Sequence, residues 1–152
     1  MVSTKTVLVT GGAGFIGSHL VDRLIQQGYS VRVIDNLSAG CLSNLGSHLR
    51  DDAVEFTQGD IRDFALIRKC VESVDSVVHL AAQVGEMWRN VNADYLLNEL
   101  MLINTLKHCT TPVDKIIFAS SQYVYGNINT QNVYEEDVLK GYNTKYGCSK
   151  IN

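Results

Sequence analysis

The stretch Thr6-Val7-Leu8-Val9-Thr10-Gly11-Gly12-Ala13-Gly14-Phe15-Ile16-Gly17 decides the fold of this 152-residue chain. Its first five residues form a short apolar run that ends at glycines, which is typical of a strand buried in a parallel sheet. The glycines fit two overlapping patterns, GxxGxxG and GxGxxG, which allow a tight turn and a close approach of the backbone to a pyrophosphate. The N-terminus of a following helix offers free N–H groups to the same phosphates. The candidate phosphate-binding residues are Gly11, Gly12, Gly14 and Gly17.

The residues after this turn continue the same unit. Apolar side chains recur at helical spacing from Ile16 to Ile25, and Gly28 ends the predicted helix. Residues 31–34 form a second predicted strand, with Asp35 at its end. A carboxylate at that place accepts hydrogen bonds from ribose hydroxyls and repels a 2′-phosphate, so the sequence favours NAD over NADP.

Strands and helices alternate along the rest of the chain. Further strands are predicted at 54–57, 76–80 and 115–119, helices at 64–74, 94–109 and from about residue 143, and mainly loop at 36–52 and 126–142. This alternation implies right-handed crossovers and an α/β fold, a doubly wound parallel sheet (Rossmann) of about five strands. No repeat or linker divides residues 1–152, so we expect one domain.

The composition limits the classes of function. Hydrophobic residues make up 45% of the chain and charged residues 19%, with a formal net charge of -3, so we expect neither nucleic-acid binding nor attraction to an anionic membrane. No apolar run approaches the roughly 20 residues that span a bilayer, and the first residues do not resemble a signal peptide. Because the four cysteines and four histidines are dispersed, we expect reduced thiols, a cytoplasmic location and no metal site.

Two further strand ends carry candidate cofactor contacts. Asp60, which precedes Ile61, follows the third strand, where a carboxylate can accept the adenine amino group. The alternative role for Asp60 is the N-cap of a helix that starts at Arg62. The segment His79-Leu80-Ala81-Ala82 closes the fourth strand, and its small side chains let a flat ligand lie against the backbone. Close packing without a ligand is the alternative there.

A hydroxyl, a phenol and an amine form the candidate catalytic group. Tyr146 and Lys150 lie four residues apart on one face of the last predicted helix, and a lysine one turn away stabilises a phenolate electrostatically. Ser121 lies 25 residues before Tyr146, just beyond the fifth strand. Loops at the carboxyl ends of parallel strands face one ligand crevice, so we expect these three side chains to converge there. A solvated surface pair is the alternative for Tyr146 and Lys150.

Six motifs in consistent order resemble the extended short-chain dehydrogenase/reductase family, in its NAD-dependent epimerase/dehydratase branch. They are TGGAGFIGSHL (10–20), DNLS (35–38), GDIRD (59–63), HLAA (79–82), SSQYVYG (120–126) and YGCSK (146–150). The resemblance implies NAD as cofactor and adds further contacts to it: Phe15, Ile16, Asn36, Ile61 and Asn98. It also implies that residues 1–152 are an incomplete NAD-binding domain, whose later strands and C-terminal substrate domain lie outside this chain.

The resemblance implies a reaction on a nucleotide sugar. Tyr146 would remove a proton from a sugar hydroxyl while hydride passes from that carbon to NAD. Lys150 would bind the nicotinamide ribose, and Ser121 would hydrogen-bond the reacting oxygen. In the epimerases of this branch, the keto-sugar turns over and takes the hydride back on its other face.

Several positions depart from the family pattern. The 4,6-dehydratases carry an acidic pair after the serine or threonine, whereas this chain has Gln122 and Tyr123, which favours epimerisation over dehydration. Val84 stands where close relatives of bacterial UDP-glucose 4-epimerase often have lysine, and Met101 replaces a glycine in the long helix. Two alternatives remain open, a nucleotide-sugar 4-reductase or dehydratase and a non-catalytic NAD-binding or assembly module.

The predicted helix at 94–109 is apolar nearly all round. Such a helix is covered on a second side, which a partner subunit can provide. In the family that this chain resembles, the equivalent helix pairs with the tyrosine-bearing helix across a dimer. We therefore expect a homodimer formed through residues 94–109 and 143–152.

Overall fold

Five parallel strands and their flanking helices form the fold in the computed structural model, which describes residues 4–82, 94–109, 111–126, 132–139 and 145–151, without the side chains of 94–98 and 145. The sheet has the order β3-β2-β1-β4-β5. The strands are β1 (Thr6–Thr10), β2 (Ser30–Asp35), β3 (Val54–Gln58), β4 (Ser76–His79) and β5 (Lys115–Phe118). The α-helices are α1 (Phe15–Gln26), α2 (Gly46–Arg50), α3 (Phe64–Cys70), α4 (Asp94–Lys107) and α5 (Lys145–Ile151). Short 3₁₀ helices span Leu42–Leu45 and Gln122–Tyr125.

Helices cover both faces of the sheet at its central strands, which confirms the predicted doubly wound architecture, whereas the edge strand β5 exposes Ile116 and Ile117 at 49% and 50%. Side chains alternate along β1, so Val7 and Val9 face one layer and Leu8 faces the other. The first layer contains α1, through the buried Val21. The second contains α3 and α4, and Leu102 of α4 is buried there.

The strand order reverses next to β1, and this reversal creates the ligand crevice. β1 pairs with β2 on one side and with β4 on the other, so that Thr10 lies opposite Ile34 and His79. The connections after β1 and β4 therefore leave the sheet in opposite directions. In open α/β sheets, ligands bind in the crevice beyond the strand ends at such a point.

Helix α3 corrects two predictions. It ends at Cys70 instead of residue 74, because residues 71–73 form a turn in which Ser73 has φ 57°, a left-handed conformation that cannot continue a helix. It begins at Phe64, and its N-cap is Asp63, whose carboxylate accepts the Leu66 N–H at 3.0 Å. The alternative of a helix that starts at Arg62 with Asp60 as its cap is therefore wrong.

The other boundaries differ less. Strands β4 and β5 each end one residue earlier than predicted, and α4 ends at Lys107. Most of the predicted loop at 126–142, and the predicted helix start near residue 143, lie outside the described residues. At the start of α1, Ile16 is 69% exposed, so its place in the core-facing stripe was wrong. The stripe proper begins with Leu20 and Val21.

Helix α4 buries one side and exposes apolar side chains on another. Leu102 and Thr105 are buried, whereas Leu100 and Ile103 are 51% and 40% exposed. The single chain thus leaves part of the predicted second apolar side open to solvent. Among the helices that the structure describes, neither α4 nor any other is long and apolar enough to cross a membrane.

Candidate active site

The glycine turn is shaped by backbone contacts that leave no room for side chains. Gly11 has φ 72°, and its N–H donates to the Ile34 carbonyl at 2.8 Å. A Cβ atom on Gly11 would lie 2.8 Å from the Ala81 nitrogen, and one on Gly12 would lie 2.6 Å from a Val33 methyl. A Cβ on Gly17 would overlap the Gly11 carbonyl oxygen. The turn is thereby locked between β2, the end of β4 and the start of α1.

Asp35 connects the end of β2 to this turn. Its side chain is buried, with Oδ2 accepting the Ala13 N–H at 3.0 Å and Oδ1 accepting the Leu37 N–H at 2.8 Å. A carboxylate has about four lone-pair positions, so these two bonds leave acceptor capacity for ribose hydroxyls. The predicted ribose acceptor therefore lies directly beside the predicted phosphate turn.

Asp60 is held by its neighbours. Its carboxylate accepts hydrogen bonds from the backbone N–H and the guanidinium of Arg62, at 2.8–3.0 Å, and from the Asn36 amide at 3.3 Å. The hydrogen bonds from the Arg62 guanidinium lower the pKa of Asp60 to about 2 despite partial burial, so it stays ionised. The side chain of Ile61 is buried in the core beside Ile67. A contact of Asp60 or Ile61 with adenine stays a prediction.

The end of β4 is fastened to the end of β1 through Thr10. The Thr10 carbonyl accepts the Leu80 N–H at 3.1 Å, and its hydroxyl accepts the Ala81 N–H at 3.2 Å. The same hydroxyl lies 2.8 Å from Nδ1 of His79, which is fully buried. Leu80, Ala81 and Ala82 are half-buried, so the backbone here runs close against the glycine turn.

Two large apolar side chains project at the start of α1. Phe15 is 80% exposed and Ile16 is 69% exposed, and the Phe15 ring packs edge-to-face on His19 with centroids 5.0 Å apart. They flank the glycine turn, on the rim of the crevice. Such exposure is unusual for the first turn of an otherwise amphipathic helix, and the contact of both side chains with a cofactor stays a prediction.

The predicted catalytic residues gather where β5 ends. The Lys150 ammonium lies 4.5 Å from the centroid of the Phe118 ring and 5.8 Å from that of Tyr146. The Ser121 hydroxyl accepts the Tyr123 N–H at 3.3 Å and so caps the 3₁₀ helix, whose Tyr123 ring packs edge-to-face on Tyr146 at 5.7 Å. Tyr146 and Lys150 therefore belong to a packed cluster, and the alternative of a solvated surface pair is wrong.

Helix α5 is fixed to the end of β5 by a hydrogen bond as well as by these rings. The Ser120 hydroxyl donates to the Lys150 carbonyl at 3.0 Å. Ser120 and Ser121 were expected to converge on the nicotinamide, and this bond gives Ser120 the part of orienting the helix that carries the phenol and the amine. The buried Ser149, which the sequence did not reveal, donates to the Tyr146 carbonyl at 2.8 Å within the same helix.

Glu99 is the residue of this cluster that the sequence did not reveal. Its carboxylate lies 3.1 Å from the Lys150 ammonium, and both side chains are almost fully buried. Burial raises the pKa of Glu99, against the opposing effect of the Lys150 ammonium. The signal that could have found it is one acidic residue within the apolar run of α4. The side chain of the neighbouring Asn98, a predicted cofactor contact, lies outside the described residues.

Comparisons with known proteins agree with this geometry. The profile of the NAD dependent epimerase/dehydratase family matches residues 7–152. A putative UDP-glucose 4-epimerase from Methanocaldococcus jannaschii is 41% identical over 95% of this chain and 47% of its own length. UDP-glucose 4-epimerase from Bifidobacterium longum, solved with NAD+ and UDP, superposes with a TM-score of 0.82 at 32% identity, over 97% of this chain and 46% of that structure.

A second kind of enzyme is equally similar in structure. The dTDP-glucose 4,6-dehydratase from Streptomyces venezuelae, solved with NAD, superposes with a TM-score of 0.83 at 32% identity, over 96% of this chain and 48% of that structure. The chain thus spans about half the length of the relatives that it matches. On this evidence the chain belongs to the NAD-dependent epimerase/dehydratase family.

Proposed function

We propose that this chain is the NAD-binding part of a nucleotide-sugar epimerase of the UDP-glucose 4-epimerase type, working through a transient keto-sugar. The observation that carries the proposal is the packing of Tyr146 and Lys150 at the end of β5. This cluster lies one strand away from the crevice between β1 and β4. The similarity to UDP-glucose 4-epimerases supports the substrate class.

The residues of the crevice fit NAD. The glycine turn has too little room for side chains at its glycines, so backbone atoms line the predicted phosphate position. The N-terminus of α1 lies at the same place and offers free N–H groups. The Asp35 carboxylate, beside the turn, would accept the ribose hydroxyls and would repel the 2′-phosphate of NADP. When bound, NAD would serve as the reversible acceptor of hydride from the sugar carbon.

The chain's own groups supply proton transfer and orientation. The Tyr146 phenolic oxygen would take the proton of the sugar hydroxyl and give it back after the keto-sugar has turned. The Lys150 ammonium lies 5.8 Å from the centroid of that ring, where it would bind the nicotinamide ribose beside the reacting hydroxyl. Because the Ser121 oxygen accepts the Tyr123 N–H, the Ser121 O–H can donate to the reacting sugar oxygen.

The segment after Ser121 favours epimerisation over dehydration. Elimination of water needs acidic groups beside the sugar, and the two positions after Ser121 hold Gln122 and Tyr123. Tyr123 is committed to packing against Tyr146. A neutral amide and a packed phenol leave the keto-sugar intact, as an epimerase requires.

We also propose that α4 forms part of a homodimer interface, because it exposes the apolar side chains of Leu100 and Ile103 to solvent. Sedimentation of the wild-type chain over a range of concentrations tests this, with Ile103→Asp as the disrupting variant. We expect the variant to remain monomeric at concentrations where the wild-type chain dimerises. Identical sedimentation of both chains would contradict the interface.

The first test of the proposed function is the choice of dinucleotide. We expect NAD to bind the chain at least about 30-fold more tightly than NADP, because Asp35 would face the added phosphate (about 2 kcal/mol). Titration calorimetry measures both affinities, and Asp35→Asn should narrow the ratio between them. Absence of binding heat with millimolar NAD would refute the proposal.

Incubation with UDP-, GDP- and dTDP-sugars, analysed for epimers, then separates a catalytic chain from a non-catalytic NAD-binding module.

A further inference from the structure

The ion pair between Glu99 and Lys150 is the most deeply buried charge pair in the described part of the chain. Glu99 Oε1 lies 3.1 Å from Lys150 Nζ, with the two side chains 8% and 2% exposed. The second carboxylate oxygen, Oε2, is also buried, and no hydrogen-bond partner for it lies among the described residues. Burying such a pair brings a desolvation penalty that can exceed the Coulombic gain, so it is weak evidence of a purely stabilising role.

The surroundings of the ammonium explain why a carboxylate is needed there. Phe118 and Tyr146 present aromatic rings to it, and its positive charge also acts on the buried imidazole of His79. Neither ring carries a full negative charge, and burial holds His79 in its neutral form. Among these groups Glu99, on α4, is the one that can neutralise the cation. It is also the contact through which α4 restrains the end of the Lys150 side chain.

We propose that Glu99 is a positioning residue, whose buried carboxylate holds the Lys150 ammonium between Phe118 and Tyr146, in place for the nicotinamide-ribose end of the cofactor. The inference rests on the proposed function, which assigns that ribose to Lys150. An ammonium has three N–H groups, and Glu99 engages one of them. The remaining two N–H groups can donate hydrogen bonds to the ribose. Little further side-chain entropy is lost on binding, because the ion pair already fixes the ammonium.

The test compares NAD with ADP, which contains the adenosine and phosphates but lacks the nicotinamide ribose. We expect Glu99→Gln to weaken NAD binding about tenfold and to change ADP binding less than about twofold. The matched control is Glu55→Gln, which makes the same change in the exposed ion pair with Arg32 and should affect neither ligand. In a Lys150→Met background, Glu99→Gln should cause no further loss of NAD affinity, because Glu99 acts through the lysine.

Two further measurements cover the cases in which these variants are uninformative. If Glu99→Gln does not fold, Glu99→Asp keeps the negative charge but moves it away from Lys150 by the length of one methylene group. This variant should still weaken NAD binding more than ADP binding. A nitrogen NMR spectrum of the lysine ammonium groups, without any nucleotide, should show a protected Lys150 signal in the wild-type chain and its loss in Glu99→Gln. Lys150→Met assigns that signal.

The outcomes separate the two proposals. If the wild-type chain binds ADP and NAD but Glu99→Gln binds NAD equally well, the positioning role is wrong and the proposed function stands. The positioning role would also be wrong if Glu99→Gln weakened NAD and ADP binding equally, or if its effect on NAD affinity added to that of Lys150→Met. In either case Glu99 would act through the stability of the fold. If the wild-type chain binds neither nucleotide, the proposed function fails. In that case persistence of the Lys150 signal in Glu99→Gln would show that Glu99 does not hold the ammonium either.

Discussion

Replacing Gly17 with alanine is expected to destabilise the fold by about 3 kcal/mol and to abolish NAD binding. In an ordinary helix the same substitution would stabilise the protein, by roughly 1 kcal/mol, because alanine is the better helix former. Gly17 lies in the first turn of α1, where an added Cβ would overlap the Gly11 carbonyl oxygen and lie 2.7 Å from the Gly12 Cα atom. Both obstacles are backbone, so the turn itself must move, and that turn is the predicted phosphate site.

Urea unfolding measures the first part of this expectation and calorimetry with NAD measures the second. Gly46→Ala is the matched control, because Gly46 also lies at the start of a helix and its added Cβ would meet nothing closer than the Arg50 guanidinium at 4.0 Å. The control should be as stable as the wild-type chain or more stable, by up to roughly 1 kcal/mol, and should bind NAD as the wild-type chain does. A Gly17→Ala chain with wild-type stability and NAD affinity would show that the turn is not the rigid cradle described here.

The local parts of the structure were predictable from the sequence because neighbouring residues determine them. The strand β1, the glycine turn and α1 follow one another within residues 6–26, and each has its own pattern of apolar residues or glycines. The end of β2 could be placed for the same reason, and with it Asp35. The parallel order of the sheet then followed from the alternation of strands and helices.

The features that were missed depend on contacts between distant segments or on backbone conformations without a residue signature. Ser73 adopts a left-handed conformation that serine rarely takes, so nothing marked the end of α3. Ile16 matches the helical stripe by its spacing, but it lies beyond the end of the sheet and finds no core to join. Glu99 meets Lys150 only because α4 and α5 pack together, and no local pattern records that contact.

The imidazole of His79 makes the stability of this fold sensitive to acid. The ring is fully buried and stacks on Phe118 with centroids 5.7 Å apart. Nδ1 contacts the Thr10 hydroxyl, whereas Nε2 is buried and finds no hydrogen-bond partner in the described part of the chain. A charged imidazole would need an acceptor at both nitrogens. Burial, and secondarily the positive charge of Lys150, therefore lower the pKa of His79 to about 4.

The direction of the pH effect follows from this depressed pKa. In the unfolded chain His79 takes up a proton below its ordinary pKa of 6.5, whereas in the folded chain it does so only near pH 4. The stability that the neutral ring contributes is therefore complete above pH 6.5 and is lost as the pH falls towards 4. The loss amounts to about 3 kcal/mol. We expect His79→Gln, which cannot take up a proton, to reduce the difference in unfolding free energy between pH 7 and pH 4 by that amount.

Urea unfolding of both chains across this range measures the difference, and the comparison removes the contribution of the carboxyl groups that the two chains share. His108→Gln, which changes an exposed histidine in the turn just after α4, is the matched control and should leave the pH dependence as it is in the wild-type chain. If His79→Gln loses stability with acid as steeply as the wild-type chain, His79 is not buried in its neutral form. The packing of Thr10, His79, Phe118 and Lys150 at the carboxyl edge of the sheet would then have to be revised, because an imidazolium cannot share that pocket with the ammonium.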